Sequence, residues 1–265
     1  MRSTGSSCAV NDDLRACADI VRRGDPERFA AAMAAPVAAR AVLFPVYAFN
    51  VEVARAPWLT AEPMIAEMRL QWWREALEEI GVGGPVRRHE VTTPLAGVLD
   101  AEGVALLDAL IAARRWDIYK DPFEDAAHFE QYLTRTSGHL MLAAARALGG
   151  VDEAAVLDVG YASGLANYLR AIPALEAAGR VPLLDGRPQG LRDLAQNGLA
   201  RLGKGRAARK SVPKPAAPAL YAAWLAGPVL RRAAAHPALV GQGALDPAPA
   251  AARLRLMGVA MTGRW

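Results

Sequence analysis

Histidine, cysteine and clustered carboxylates are the side chains best suited to metal and nucleophile chemistry, and in this chain they are scattered. His89, His128, His139 and His236 include no pair at i, i+4, so no helix offers two imidazoles to a zinc or di-iron centre. Each reads as structural. Cys8 and Cys17 stand nine residues apart with no His pair nearby. That is neither a zinc signature nor a disulfide framework, and they read as reduced thiols in a cytoplasmic setting. Gly203-Lys204-Gly205 lacks the spacing and the preceding strand of a phosphate-binding loop, and no G-x-S-x-G elbow occurs. Trp72-Trp73-Arg74 and Glu78-Glu79 share one helical stretch. One ring packed inward, one covering a neighbouring helix and a solvated acidic face account for them without chemistry.

Charge is the stronger signal. The net value is +4, yet no acid occurs from Leu194 to Leu245, while Arg201, Lys204, Arg206, Arg209, Lys210, Lys214, Arg231 and Arg232 do. Such a run attracts anionic surfaces. Interleaved aromatics and recognised modules are absent, so nucleic acid is not the expected partner. The segment from Arg201 to Lys214, rich in glycine and proline, is expected to be mobile and to touch an anionic surface such as a membrane.

The elements that must position these residues read as helices throughout. Apolar residues make up 53% and charged residues 22% of 265 residues, enough for a sizeable core. Alanine is abundant and β-branched runs are rare, which favours helix. Asp12 is a plausible cap for a helix over Leu14 to Arg23, and Asp25-Pro26-Glu27 starts another. Helices are then expected over Ala38 to Ala56 with a kink at Pro45, Thr60 to Ile80, Thr92 to Leu99, Val104 to Tyr119 and Pro122 to Leu148. Further ones run from Asp152 to about Ile172, ending before Pro173, and over Gly190 to Leu202, Ala219 to Ala235 and Pro247 to Met261. A basic loop is expected over about 203–218. Short connections favour one all-α domain over 1–265. The most apolar stretch, Ala30 to Leu59, is interrupted by Arg40, Glu52, Arg55 and three prolines, which disfavours a spanning helix. The protein is expected to be soluble, or peripheral at the inner face of a membrane.

Five pieces occur in an order that resembles the squalene/phytoene synthase family. Tyr47-Ala48-Phe49 is similar to the stretch leading into that family's first aspartate-rich motif, with Leu70 to Trp73 on the next helix. Tyr132-Leu133-Thr134-Arg135-Thr136-Ser137-Gly138 resembles its Tyr-x-x-Arg-x-Ala-Gly helix. Asn167-Tyr168-Leu169-Arg170 followed by Gly179-Arg180-Val181-Pro182-Leu183 resembles its second motif. Ala207 to Arg209 and Pro218 to Tyr221 resemble its C-terminal helix. The resemblance covers roughly Phe29 to Arg232. It implies an isoprenoid-synthase-type bundle of about ten helices around a central cavity. In active members, carboxylates on two facing helices hold Mg²⁺ against a prenyl diphosphate, and the metal stabilises the departing diphosphate.

At those positions this sequence departs from the family. Counted from Phe49, the first pair of aspartates falls on Ala54 and Trp58; counted from Arg170, the second falls on Ala171 and Leu175. Glu52, Glu62 and Glu176 do not restore an i, i+4 pair. Ala48 to Glu52, Met68 to Trp73 and Leu169 to Ala171 look closer to the non-catalytic branch of the superfamily, which includes a mitochondrial assembly factor for respiratory complex I. The resemblance therefore implies a catalytically silent assembly or binding factor with no cofactor and a protein partner, such as a complex I subunit. An active head-to-head prenyltransferase with Mg²⁺ and an altered diphosphate site is one alternative, and an isoprenoid lipid binder is another. The cavity and anion-binding candidates are Tyr47, Phe49, Glu52, Trp72, Asn167, Arg170 and Arg180. The expected core comprises Phe44, Tyr47, Phe49, Trp72, Leu140, Tyr161, Leu165 and Tyr168. Arg170 and Arg180 are expected to pair with Glu52, Glu67 or Glu75, the alternative being an anion site.

Overall fold

The computed structural model describes residues 4–150 and 152–265, with side chains from residue 12 onward. Helices α1 to α3 span Thr4–Gly24, Pro26–Ala34 and Val37–Arg55; α4 to α7 span Pro63–Val82, Thr92–Ala96, Ala101–Arg114 and Trp116–Tyr119. Helices α8 to α11 cover Ala126–Leu133, His139–Ala147, Glu153–Ala177 and Pro188–Ala207; α12 to α14 cover Ala226–Ala235, Ala238–Gly241 and Pro249–Thr262. No strand occurs among the described residues.

Local chemistry sets several helix starts. Asp25, Asp100, Asp125 and Asp152 each accept a backbone N–H three residues on, at 2.9, 2.7, 2.8 and 3.2 Å. Such a cap contributes about 1 kcal/mol. Helix α1 starts earlier than expected, so Asp12 lies inside it rather than capping it. Cys8 lies outside the residues whose side chains are described; Cys17 is free and buried, and desolvation pushes its thiol up to about 12.

Helix α3 contains Pro45 and forms the middle of the core, with Leu43 to Val51 buried. The span Val37–Trp58 is long and apolar enough to cross a bilayer by composition, and here that apolarity serves packing against α1, α2 and α9. Helix α10 packs against α9, α11 and α12. Between α8 and α9 the chain forms one π-helical turn, Thr134–Gly138, which lies against α10. The approach there is close: a Cβ on Gly160 would stand 2.7 Å from Gly138 Cα. Glycine at 160 is what allows it.

Two expected boundaries are corrected. Helix α10 passes through Pro173 to Ala177. Its last turn is held by Gly179 in the left-handed region (φ +77°) and by bonds from Gly179 N to Glu176 O at 2.8 Å and Arg180 N to Leu175 O at 3.0 Å. The basic loop over 203–218 is instead the end of α11, followed by 3₁₀ turns at Arg209–Ser211 and Ala217–Ala223. Gly205 costs a helix about 1 kcal/mol by propensity. Here it lets α11 approach α10, since a Cβ would stand 2.8 Å from Ala155 O. The cations also find distant acids: Arg201 bonds Glu130, and Lys204 lies 3.1 Å from Asp158.

Candidate functional site

The four positions that the resemblance assigns to ligand carboxylates lie toward the C-terminal parts of α3, with the turn after it, and of α10. Ala54 lies in the last turn of α3, and Trp58 ends the following 3₁₀ turn. Ala171 and Leu175 lie one turn apart on α10, because that helix continues through Pro173. A methyl, an indole and an isobutyl group supply no oxygen to a hard cation. Among the described residues no three His, Cys, Asp or Glu side chains gather as a metal site. The residues present do not fit a magnesium–diphosphate cluster.

Arg180, the arginine of the second motif-like stretch, is buried beside these positions. Its side chain is 2% exposed and stands 4.0 Å from the Asp117 carboxylate, which is 4% exposed. It donates to the Asp117 carbonyl oxygen. The Trp58 ring lies 4.9 Å from its guanidinium carbon and the Trp116 ring 5.2 Å, so two aromatic faces help hold the cation. Trp58 thus covers Arg180, the arginine of the stretch that resembles the second motif. Asp117 has further partners: Arg114 at 3.0 Å, and the Tyr132 hydroxyl, which donates to it at 3.0 Å. Burial works against the Arg114 charge, but Tyr132 and Asp117 outweigh it and raise its pKa.

Aromatic rings fill the adjoining space. Trp116 stacks on Phe123 with centroids 4.0 Å apart; Phe123 meets Phe129 at 4.9 Å, and Phe129 meets Tyr168 at 5.2 Å. Burial pushes the Tyr132 and Tyr168 hydroxyls well above the usual phenol range, so neither is poised as a base at neutral pH. A cavity of about 190 Å³ remains between Phe129, Tyr161, Leu183 and Leu194. Pockets that enclose drug-sized ligands typically measure about 300–1,000 Å³.

The sequence-derived candidates do not converge on one site. Tyr47 and Phe49 are core residues; Tyr47 donates to Ala219 O at 3.3 Å, and Phe49 meets Trp73 edge-on at 5.4 Å. Glu52 pairs with Arg55 on its own helix at 2.5 Å. Asn167 is exposed and accepts from Arg170 at 3.5 Å. The expected partners of the two arginines are corrected. Arg170 grips Glu27 with both terminal nitrogens, at 2.6 and 2.7 Å, and its Nε stands 2.6 Å from Asp246. Burial lowers and these two acids raise its pKa, and the acids prevail. Glu67 is instead taken by Arg115 and Tyr119, and Glu75 lies 3.5 Å from Arg87. The Asp117 network was missed; the dense run Arg114-Arg115-Trp116-Asp117 was its only local signal.

Trp72 is also corrected. It is half-buried, whereas Trp73 is buried; the other seven expected core residues are buried. Trp72 borders an open groove of about 430 Å³ with Met64, Glu67, Met68, Gln71 and Glu75. Met64 and Met68 are 75% and 66% exposed. Spaced one turn apart, they make an adaptable apolar edge.

Comparison with known proteins adds three findings. The family model for squalene/phytoene synthase matches residues 21–183. The chain is 25% identical over 186 residues to "NADH dehydrogenase (ubiquinone) complex I, assembly factor 6" of Bos taurus, covering 64% of this chain and 53% of that one. It is 29% identical over 167 residues to the Drosophila melanogaster homologue, covering 59% and 50%. It therefore spans about half the length of these relatives. Among solved structures, a dehydrosqualene synthase in complex with ligand superposes with a TM-score of 0.76 at 16% identity, over 95% of this chain and 96% of that one. At that identity the likeness concerns the fold, an isoprenoid-synthase-type helical bundle.

Proposed function

Since this chain belongs to the squalene/phytoene synthase family, we propose that it is a catalytically silent member that acts by binding another protein. The reading is supported most by the residues at the four positions counted as family carboxylates, Ala54, Trp58, Ala171 and Leu175, and by the Trp58 ring lying on Arg180. The loss of metal stabilisation at a leaving group costs several kcal/mol, and each 1.36 kcal/mol is about tenfold in rate. The relatives named as complex I assembly factors support an assembly role, with a respiratory complex I component as the partner. The groove along α4 supports the mode: Met64 and Met68 would receive apolar side chains of a partner helix. We place the protein on the cytoplasmic side, in peripheral contact with an anionic membrane.

Incubation with farnesyl and geranylgeranyl diphosphate plus Mg²⁺ or Mn²⁺ should give no presqualene diphosphate, squalene or phytoene above a protein-free control. Metal-dependent product would overturn the silent reading in favour of an active prenyltransferase. Isoprenoid lipid extracted in stoichiometric amount from purified protein would favour the lipid-binding alternative. The assembly role is tested in a deletion strain by native-gel analysis of complex I. Wild type should restore the complex and the double variant Met64→Glu/Met68→Glu should not. Normal complex I in the deletion strain would refute that role.

A further inference from the structure

We infer that the outward face of α14, with the arginines around it, is a lipid-binding surface that lays the protein on an anionic bilayer. The inference rests on the membrane contact proposed above and is independent of the assembly role. It centres that contact on α14 and keeps Arg206 and Arg209 of the segment 201–214, whose Arg201 and Lys204 are engaged by Glu130 and Asp158.

Successive side chains on an α-helix are about 100° apart. On that wheel Leu254, Met257 and Met261 fall within an arc of about 60°. They are 69%, 58% and 83% exposed. Ala250 and Gly258, also exposed, extend the same strip. The opposite side faces the core through buried Val259 and through Ala252 and Leu256. Helix α14 is therefore apolar on both sides, and only one side is covered. Arg253 and Arg255 fall about 100° to either side of Leu254, one on each flank.

The surroundings are rich in cations and poor in acidic side chains. From Leu194 to Trp265 the only acid is Asp246, and Arg170 already pairs with it. Arg206 on α11, Arg209 after it, Arg231 on α12 and Arg255 on α14 act on one another. Burial, then Arg255, Arg209 and Arg231, push Arg206 down to about 10; burial and Arg264 lower Arg209. Main-chain oxygens hold three of them: Trp265 O accepts from Arg206 and Arg209, and Trp224 O accepts from Arg255 at 2.5 Å.

An anionic bilayer satisfies both features together. Its acyl boundary takes the leucine and methionines, and its phosphates take the guanidinium groups. This is the pattern of a helix lying in the interface, apolar below and basic at the flanks. The length of α14, 14 residues, is too short for a spanning role, and its inner side is already packed on the core through Val259.

The test is flotation of the full chain with phosphatidylcholine vesicles, with and without about one third phosphatidylglycerol. Binding should require the anionic lipid and fall steeply between about 0.1 M and about 1 M salt, as the Debye length shrinks from about 10 Å to about 3 Å. Arg253→Gln/Arg264→Gln should weaken partitioning on the order of 30-fold, each surface cation contributing about fivefold. Met257→Gln/Met261→Gln should weaken it about tenfold. All four side chains are exposed, so thermal melts should match wild type. The α4 variant Met64→Glu/Met68→Glu should bind vesicles normally. Absent binding at low salt, equal binding to neutral vesicles, or full binding by both α14 variants would each overturn the inference. The assay contains no protein partner, so a failed complex I rescue alongside normal flotation would sink only the assembly role. If α14 variants lost complex I rescue while wild type ignored vesicles, the face would bind protein, and the lipid inference would fall.

Discussion

Replacing Arg180 by methionine tests whether the arginine is structural or free to bind an anion. The side chain lies almost wholly inside, against an equally buried Asp117. Breaking a buried ion pair by removing one partner typically costs about 3–5 kcal/mol when the remaining charge is stranded. Asp117 is not fully stranded, because Arg114 and Tyr132 stay within 3.0 Å, which pulls the cost down. The bond to the Asp117 carbonyl is lost, and so are the contacts with Trp58 and Trp116, each between about 0.5 and 2 kcal/mol according to exposure. Trp58 is 48% exposed, so its share lies near the lower end. The balance is a destabilisation of about 2–4 kcal/mol, or roughly 5–15 °C in Tm for a domain of this size. Urea unfolding should show a lower midpoint with an unchanged slope. Arg180→Met/Asp117→Asn should cost less than the two single changes added together, since the stranded charge is gone. A loss below about 0.5 kcal/mol, or strict additivity, would refute the argument. It would mean that Arg180 is not held by Asp117 and is available to an anionic ligand.

Phe49→Ala should cost about 3–5 kcal/mol, because the ring is fully buried and loses its edge contact with Trp73; an unchanged melting temperature would mean that the face of α3 is misassigned. Gly160→Val should destabilise by about 1–3 kcal/mol through overpacking against Gly138, measured by urea unfolding, whereas the same change at exposed Gly203, inside α11 with open space around it, should cost nothing, since valine is a better helix former than glycine. Burial holds the His139 imidazole below its ordinary 6.5, a bond with Leu106 opposing this and Arg135 adding to it. Below about 6.5 the unfolded chain then binds a proton that the native state resists. Stability should therefore fall as pH drops through that window, and His139→Gln should flatten this dependence in melts taken across it.

What could be read from the residues depended on how local its cause was. Asp25-Pro26 and Asp152 marked helix starts because a cap is made within three residues. The i, i+4 spacing of Ala54 with Trp58 and of Ala171 with Leu175 likewise lies along the chain and needs no tertiary information. The phase of the double tryptophan was less clear. Neighbours on a helix differ by about 100°, and only the position of α3 decided that Trp73 meets Phe49 while Trp72 borders the groove.

The sequence by itself determined an all-helical chain and the family pattern, because helix propensity and motif order are local properties. Tertiary structure decided which charge meets which. Arg170 pairs with Glu27, 143 positions away, and Arg180 with Asp117, 63 positions away. It also decided that Gly203-Lys204-Gly205 stays helical, since contact with α10 offsets the glycine cost, and that α14 leaves one apolar side uncovered. Coulomb attraction and packing act through space, so a partner distant in sequence becomes definite only when the helices that carry it are set side by side.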